Sequence, residues 1–291
     1  MDVRRRQLML AGLGLGVVTM VAPRLLSARE TEPFNSYGIE PGGGETDQTA
    51  MLQHAIDAAA DSSTTLFIPA GIYPTRRLTL KSGTHIEGVP GRTVLRSLGD
   101  GLILRVEQAE NVRLSGLVLD GDNQPPGTDG ALLMADDVAK LAIRECHFLG
   151  SSEDGVALHC VSGRITGCTM SRIGGRALLS VECRDLAIMD NRIEHAAIGL
   201  SLTGAPSDRS VMAKGNVIRD LFLRKTLMHS GVGIVTDGGA IIRGNVIDGA
   251  PAYGILLGDP SMARVAGNSI RNAYIDIASI NEPLFRPGGE A

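Results

Sequence analysis

The sequence predicts an all-β solenoid, a single-stranded right-handed parallel β-helix with an N-terminal capping helix. Three observations predict it. Seven segments of one pattern recur at intervals of 22–29 residues. The composition is aliphatic and Gly-rich but nearly ring-free, with 37 Gly, no Trp, 4 Tyr and 5 Phe in 291 residues. One amphipathic helical stretch precedes the first repeat. Gly has no three-residue period, which excludes collagen, and the 43% hydrophobic content excludes a disordered chain.

The first element in chain order is an export signal. Residues 1–28 carry Arg4-Arg5-Arg6, an uncharged apolar run over Leu8–Ala22 broken by Gly12, Gly14 and Gly16, and a small residue, Ala28, at the expected cut. The run is shorter than the ~20 residues of a spanning helix. Arg5-Arg6-Gln7-Leu8-Met9 fits the twin-arginine pattern, so Arg5 and Arg6 are expected to engage the twin-arginine export machinery. An ordinary secretory signal or an uncleaved anchor are the competing readings. Residues 1–28 hold four Arg and one Asp, net +3, so a chain of formal charge −4 becomes −7 once they are removed. Such a chain has no electrostatic footprint for nucleic acid. A periodic, acidic, periplasmic or secreted protein is expected.

Residues 29–65 form the second element. Thr46-Asp47-Gln48-Thr49 caps a helix whose apolar face is Met51, Leu52, Ala55, Ile56 and Ala59, a cover for the open end of a solenoid.

The repeats occupy residues 66–281. In register they read Val112-Arg-Leu-Ser-Gly-Leu-Val-Leu119, Leu141–Phe148, Gly163–Met170, Leu186–Ile193, Val211–Ile218, Ala240–Ile247 and Ala263–Ile270. Each alternates apolar and polar residues, turns, and resumes, which means short strands joined by corners. A second apolar stretch follows in each unit, Gly155–Leu158, Leu178–Val181, Gly199–Leu202, Gly233–Thr236 and Gly254–Leu257, so three short strands per coil are expected. Leu114, Ile143, Ile165, Ile188, Ala213, Ile242 and Val265 fall into one internal column. Asn191, Asn216, Asn245 and Asn268 fall into another, where each amide can bond the next and offset its burial. Residues 282–291 form a tail. It offers little to cover the last coil, so further repeats or a partner are expected there.

Asp47-x-Thr49, Gln53-x-Ala55-Ile56-Asp57-Ala58-Ala59 and Pro69-Ala70-Gly71-x-Tyr73 resemble the pectate-lyase-like β-helix superfamily over about residues 34–281. Together with Arg5-Arg6 and the repeats, the whole looks like a bacterial family of twin-arginine-translocated repeat proteins. That resemblance implies fold and compartment but no particular chemistry. In polysaccharide-acting members of the superfamily, sites lie outside the strand that follows the loop-bearing corner. On that basis Met134, His159, Glu182, Thr203 and Asp237 are expected to stack on the outer face. Asp129 and Asp154 would stack at the preceding corner, with Arg176 beside them.

Asp129, Asp154, His159 and Glu182 are the candidate catalytic residues, and Arg176, Asp237 and Tyr253 the candidate substrate-binding ones. Two carboxylates 5–9 Å apart suit glycoside hydrolysis, and a base beside a uronate carboxyl suits proton abstraction. The Asn-x-Asp, Asp-Asp and Gly-His-Gly series of polygalacturonases is absent, and Asp136-Asp137 falls in a different corner. Outer solenoid faces are polar in any case, and Asp-Gly is good corner chemistry. The sequence therefore leaves three readings: an enzyme on an acidic or cell-envelope polysaccharide (lyase, hydrolase or epimerase), a non-catalytic glycan-binding β-helix, and a cofactor-binding periplasmic protein of unspecified cofactor. Tyr253 and Tyr274 in neighbouring coils are the sparse aromatic surface, and Arg224 and Lys225 in the insertion over Leu221–Met228 are expected to meet an anionic glycan. Two cysteine columns, Cys146 with Cys168 and Cys160 with Cys183, fit either disulfides or stacked free thiols. No Cys-x-x-Cys occurs, and no metal site is expected.

Overall fold

The computed structural model describes residue 39 and residues 46–99, 101–124, 130–206 and 211–280. The segment read from the sequence as an export signal, with Arg5 and Arg6, the C-terminal tail and Asp129 lie outside the described residues. No helix among the described residues is long and apolar enough to cross a membrane.

The chain winds as a parallel β-solenoid of about nine turns. One face is a nine-stranded parallel sheet with one short strand from each coil, from Thr65–Ile68 through Leu141–Arg144 to Ala263–Ala266. The expected aliphatic column is its inner row: Leu114, Ile143, Ile165, Ile188, Ala213, Ile242 and Val265 pair coil to coil, and Leu66 and Ile86 extend the row toward the N-terminus. Their neighbours alternate outward, as the two-residue period of a strand requires.

The rest of each coil departs from three separate strands. In later coils the second and third strands run on as one, as in Thr169–Val181, Arg192–Thr203 and Val246–Leu257, and they belong to a single 14-stranded sheet. The bend between them is taken up by register shifts, between Ile173 and Arg176 and between Ala250 and Tyr253. Small residues at the bend make this possible. A Cβ on Gly199, Gly233 or Gly254 would sit 2.3, 2.5 or 2.6 Å from a carbonyl oxygen of the next coil, so the coils approach closely only where the side chain is absent.

Between the two sheets runs the Asn ladder. The Nδ2 of Asn191 donates to Oδ1 of Asn216 at 3.0 Å, Asn216 to Asn245 at 2.9 Å, and Asn245 to Asn268 at 2.9 Å. Each Nδ2 also donates to a carbonyl one coil back, Ile165, Ile188 and Ala213 in turn. Each Oδ1 further accepts the backbone N–H of the preceding rung. The first rung, Asn191, holds the N–H of Cys168, which continues the column with Cys146. Asn216 and Asn245 are fully buried with every polar atom used.

The N-terminal end is closed by the helix Thr49–Asp61, whose buried face is Leu52, Ala55, Ile56, Ala59 and Ala60. Asp47 Oδ1 accepts the Thr49 N–H at 2.9 Å and the Thr49 hydroxyl, and its Oδ2 accepts Arg76 Nε. The Gln53 side-chain amide pairs with both backbone groups of Thr79, standing in for a neighbouring strand. The shared motif residues therefore dock the cap on the first coil. Tyr73 is fully buried, and its hydroxyl donates to the carbonyl of Pro69.

Asn216→Ala is expected to cost about 3–5 kcal/mol in urea unfolding, because it strands the Asn191 N–H and one Asn191 amide hydrogen in the core. Asn268→Ala, at the half-buried end of the ladder, is expected to cost about 1–2 kcal/mol since water can replace its partners. Equal losses at the two positions would mean that the ladder does not act through buried polar groups.

Candidate functional site

The outer face of the 14-stranded sheet carries the polar residues, and its register decides which of them meet. His159, the last residue of the strand Asp154–His159, pairs with Asp136 in one neighbouring coil and Val181 in the other. The full row is Glu107, Asp136, His159, Val181 and Thr203, and Asp237 follows by continuation. His159, Thr203 and Asp237 thus share a row as the sequence suggested, while Met134 and Glu182 do not belong to it. Met134 pairs with Ala157. Glu182 lies one position beyond Val181, beside Cys160. The sequence pattern set Leu178 against Gly155, but Ala177 occupies the position that Gly155 and Gly199 hold in the neighbouring coils, so Val181 rather than Glu182 falls in the row.

Asp136, read from the sequence as part of a different corner, faces His159 directly. The Nδ1–H of His159 donates to Asp136 Oδ1 at 2.7 Å, which makes Nε2 of the neutral ring the acceptor, with Cys160 Sγ as its neighbour. That hydrogen bond, helped by the charges of Asp136, Glu182 and Asp137, raises the His159 pKa above its ordinary value.

After His159 the chain turns. Gln108, Asp137, Cys160 and Glu182 have φ of 47°, 52°, 51° and 51°, a left-handed corner stacked over four coils. Residues adjacent in a strand point to opposite faces, but this corner swings Cys160 round to the side of His159. Cys160 Sγ lies 3.6 Å from His159 Nε2 and 3.9 Å from Glu182 Oε2, and Nε2 lies 3.9 Å from the same Oε2. Slight desolvation and then the Glu182, Asp136 and Asp137 carboxylates push the Cys160 thiol up.

The cluster opens into a groove of about 390 Å³ lined by Asp137, Val138, Ala139, Cys160, Val161, Ser162, Glu182, Arg184 and Asp185. A second recess of about 340 Å³ lies beside it along the solenoid, lined by Glu107, Gln108, Asp136 and Asp137. The two span consecutive coils, an open trough rather than an enclosed pocket. Its lining is anionic, with Arg184 as the cation of the larger groove. Sequence reasoning missed Asp136 and Cys160. Counting the strict alternation from Leu133 along its strand was the signal that could have found the former.

The other expected residues lie elsewhere. Asp154 is five residues from His159 along an extended strand, about 16 Å away. Its carboxylate is buried and accepts the Arg176 backbone N–H at 2.7 Å, Nε at 3.0 Å and Nη2 at 2.9 Å. Asp154 and Arg176 are therefore a pair of their own, apart from His159 and Glu182. Tyr253 lies in the row of Arg176, half-buried, and pairs with Val232 and Ile275, so it does not stack on Tyr274. Asp237 is exposed and accepts the Gly204 N–H at 2.8 Å, roughly 14 Å from His159 at three strand spacings. Arg224, expected to face a glycan, is held by Glu153 in a bidentate pair at 2.7 and 3.0 Å. All four cysteines are free thiols. Cys146 and Cys168 stack in the core as expected, but Cys160 is exposed and Cys183 buried because they sit one residue out of register, so they form no column.

Residues 103–276 match the family described as "Right handed beta helix region". One curated relative is mannuronan C5-epimerase AlgE1 of Azotobacter vinelandii, 37% identical over 110 residues, a match to 31% of this chain and 8% of that protein. This chain thus spans only a small part of that relative's length. Among solved structures, an exopolygalacturonase from Thermotoga maritima superposes with a TM-score of 0.67 at 12% identity, covering 87% of this chain and 77% of that one. The enzymatically active domain of bacteriophage CBA120 tailspike protein 2 gives 0.57 at 13% identity, covering 82% and 41%. At these identities the structural likeness is one of fold.

The Asp154–Arg176 pair lends itself to a stability test. Burial raises the Asp154 pKa and Arg176 pulls it back down. Arg176→Ala is expected to cost about 3–5 kcal/mol at neutral pH, since it leaves a buried carboxylate unpaired. With Arg176 gone the folded-state pKa rises further above the unfolded value, so the folded state holds the proton to higher pH. The variant's stability then falls as pH rises through that interval. Denaturant melts at pH 5 and pH 7 check this, and a variant equally stable at both would contradict it.

Proposed function

Since the chain belongs to the right-handed β-helix family, we propose that it acts on a polysaccharide laid along the outer trough, with a uronate carboxylate received at Arg184 rather than along the acidic lining, and performs acid–base chemistry there. The observation that carries this reading is the state of His159: one ring nitrogen is fixed by Asp136, and the other, Nε2, lies 3.9 Å from Glu182, which lines the groove. A histidine so oriented is a general base, and a carboxyl 3.9 Å from it is a partner able to return or relay the proton. Abstraction of the proton beside a uronate carboxyl, as in a lyase or an epimerase, needs that combination. Hydrolysis by a pair of carboxylates finds less support, because Asp154 is tied to Arg176.

Two further points support a uronate polymer. The names of a relative and of a structural neighbour, mannuronan C5-epimerase and exopolygalacturonase, point to polymers of uronic acids. Arg184 in the larger groove is a cation available to the sugar carboxylate. The N-terminal segment, read as a twin-arginine signal, supports a substrate met outside the cytoplasm.

The test is incubation with mannuronan, polygalacturonate and mixed uronans in D₂O. Ultraviolet absorbance of unsaturated ends reports elimination, deuterium at C5 reports epimerisation, and reducing ends without either report hydrolysis. His159→Gln is expected to lower the rate by about 10²–10⁴-fold with the circular dichroism unchanged. Turnover equal in wild type and His159→Gln would remove His159 from the chemistry. Glycan binding without turnover would leave the protein as a binding module.

A further inference from the structure

We propose that His159 Nε2, Cys160 Sγ and a Glu182 carboxylate oxygen form a binding site for a thiophilic divalent cation of the zinc class. The three atoms lie at the corners of a nearly equilateral triangle with edges of 3.6, 3.9 and 3.9 Å. A tetrahedral zinc site with bonds of about 2.0–2.3 Å has ligand–ligand edges of about 3.3–3.8 Å, so the ion fits with a contraction of a few tenths of an ångström. The ligand types are those zinc selects: one thiolate, one imidazole and one carboxylate.

The surroundings agree. Asp136 accepts the Nδ1–H of His159 at 2.7 Å, the outer-sphere contact that fixes the tautomer and turns the Nε2 lone pair toward the metal. Asp136, Asp137 and Glu182 concentrate negative charge around Cys160, which disfavours a bare thiolate and favours a cation. Binding replaces the S–H bond with an S–metal bond and releases that proton to solvent. Cys160 and Glu182 line the groove, and the fourth tetrahedral position would be left to water or a ligand oxygen.

The metal site stands on this geometry alone. One consequence rests on the reading of the preceding subsection: a metal on Nε2 and a proton on Nε2 are mutually exclusive, so zinc blocks the acid–base reaction and a chelator restores it.

The test uses the full chain, stripped with chelator and kept reduced, and titrated first with Co²⁺ alone and then with Zn²⁺. One Co²⁺ per chain is expected, with a thiolate-to-cobalt charge-transfer band and tetrahedral d–d bands that one equivalent of Zn²⁺ bleaches. Cys160→Ser is expected to abolish the charge-transfer band, and Glu182→Gln and Asp136→Asn to weaken Zn²⁺ binding by about 10–100-fold. All three side chains are exposed or half-exposed, and circular dichroism confirms that each variant is folded. Absence of the band at millimolar Co²⁺, or a band and affinity unchanged in Cys160→Ser and Glu182→Gln, would overturn the proposal. Neither readout requires turnover, so the metal site and the polysaccharide reading fail separately.

Discussion

The register between coils is the constraint on which the rest of this molecule depends. A solenoid strand shows alternate residues to core and solvent, so a slip of one residue would bury what is exposed and expose what is buried. Two internal devices hold the register. The aliphatic row from Leu66 to Val265 penalises a slip by exposing apolar area. The ladder from Asn191 to Asn268 penalises it more sharply, because each amide has fixed partners in the coils above and below and none elsewhere in a dry core. With the inside fixed, the outside follows. Asp136 meets His159 because both belong to strands whose inner residues are already matched.

Those inner features were legible in the sequence because they repeat. Seven columnar aliphatics and four asparagines at one position leave little freedom, and every predicted neighbour in those columns is a neighbour in the fold. The cap was legible for a related reason: its apolar face shows helical spacing, and Asp47, Thr49 and Gln53 beside it dock the helix on the first coil. The outer site was only half legible. Ala177 stands where other coils have Gly, so the Gly that marks the register is missing there and the pattern places Glu182, instead of Val181, in the row of His159. The left-handed corner brought Cys160 onto a face that strand alternation denies it. A change of backbone hand at one residue leaves no trace in a pattern of apolar and polar letters, least of all when Cys and Glu occupy it rather than Gly or Asn.

The same division separates the charged groups. Asp154 with Arg176 and Glu153 with Arg224 are tied to one another near the bend, where they hold successive coils and the 221–230 insertion together. His159, Cys160 and Glu182 sit at the other end of the strand and are tied only loosely, with half or more of the His159 and Glu182 side chains open to solvent. The first set is fully paired, and the second keeps polar atoms open to solvent. The scarcity of rings, which first marks the chain as a narrow solenoid, also shapes the trough. With no Trp to stack on, a sugar polymer of the kind proposed would be held there by charge and hydrogen bonds, from the carboxylates and Arg184.

The central claim is that register sets Asp136 against His159 and so makes Nε2 the acceptor. The most direct measurement is the ¹⁵N NMR spectrum of histidine-labelled protein in the metal-free state, with His159 assigned by its loss in His159→Gln. The account predicts that neutral His159 is the Nδ1–H tautomer and that Asp136→Asn disturbs it while the other five histidines keep their signals. An Nε2–H tautomer, or a His159 signal indifferent to Asp136→Asn, would contradict it.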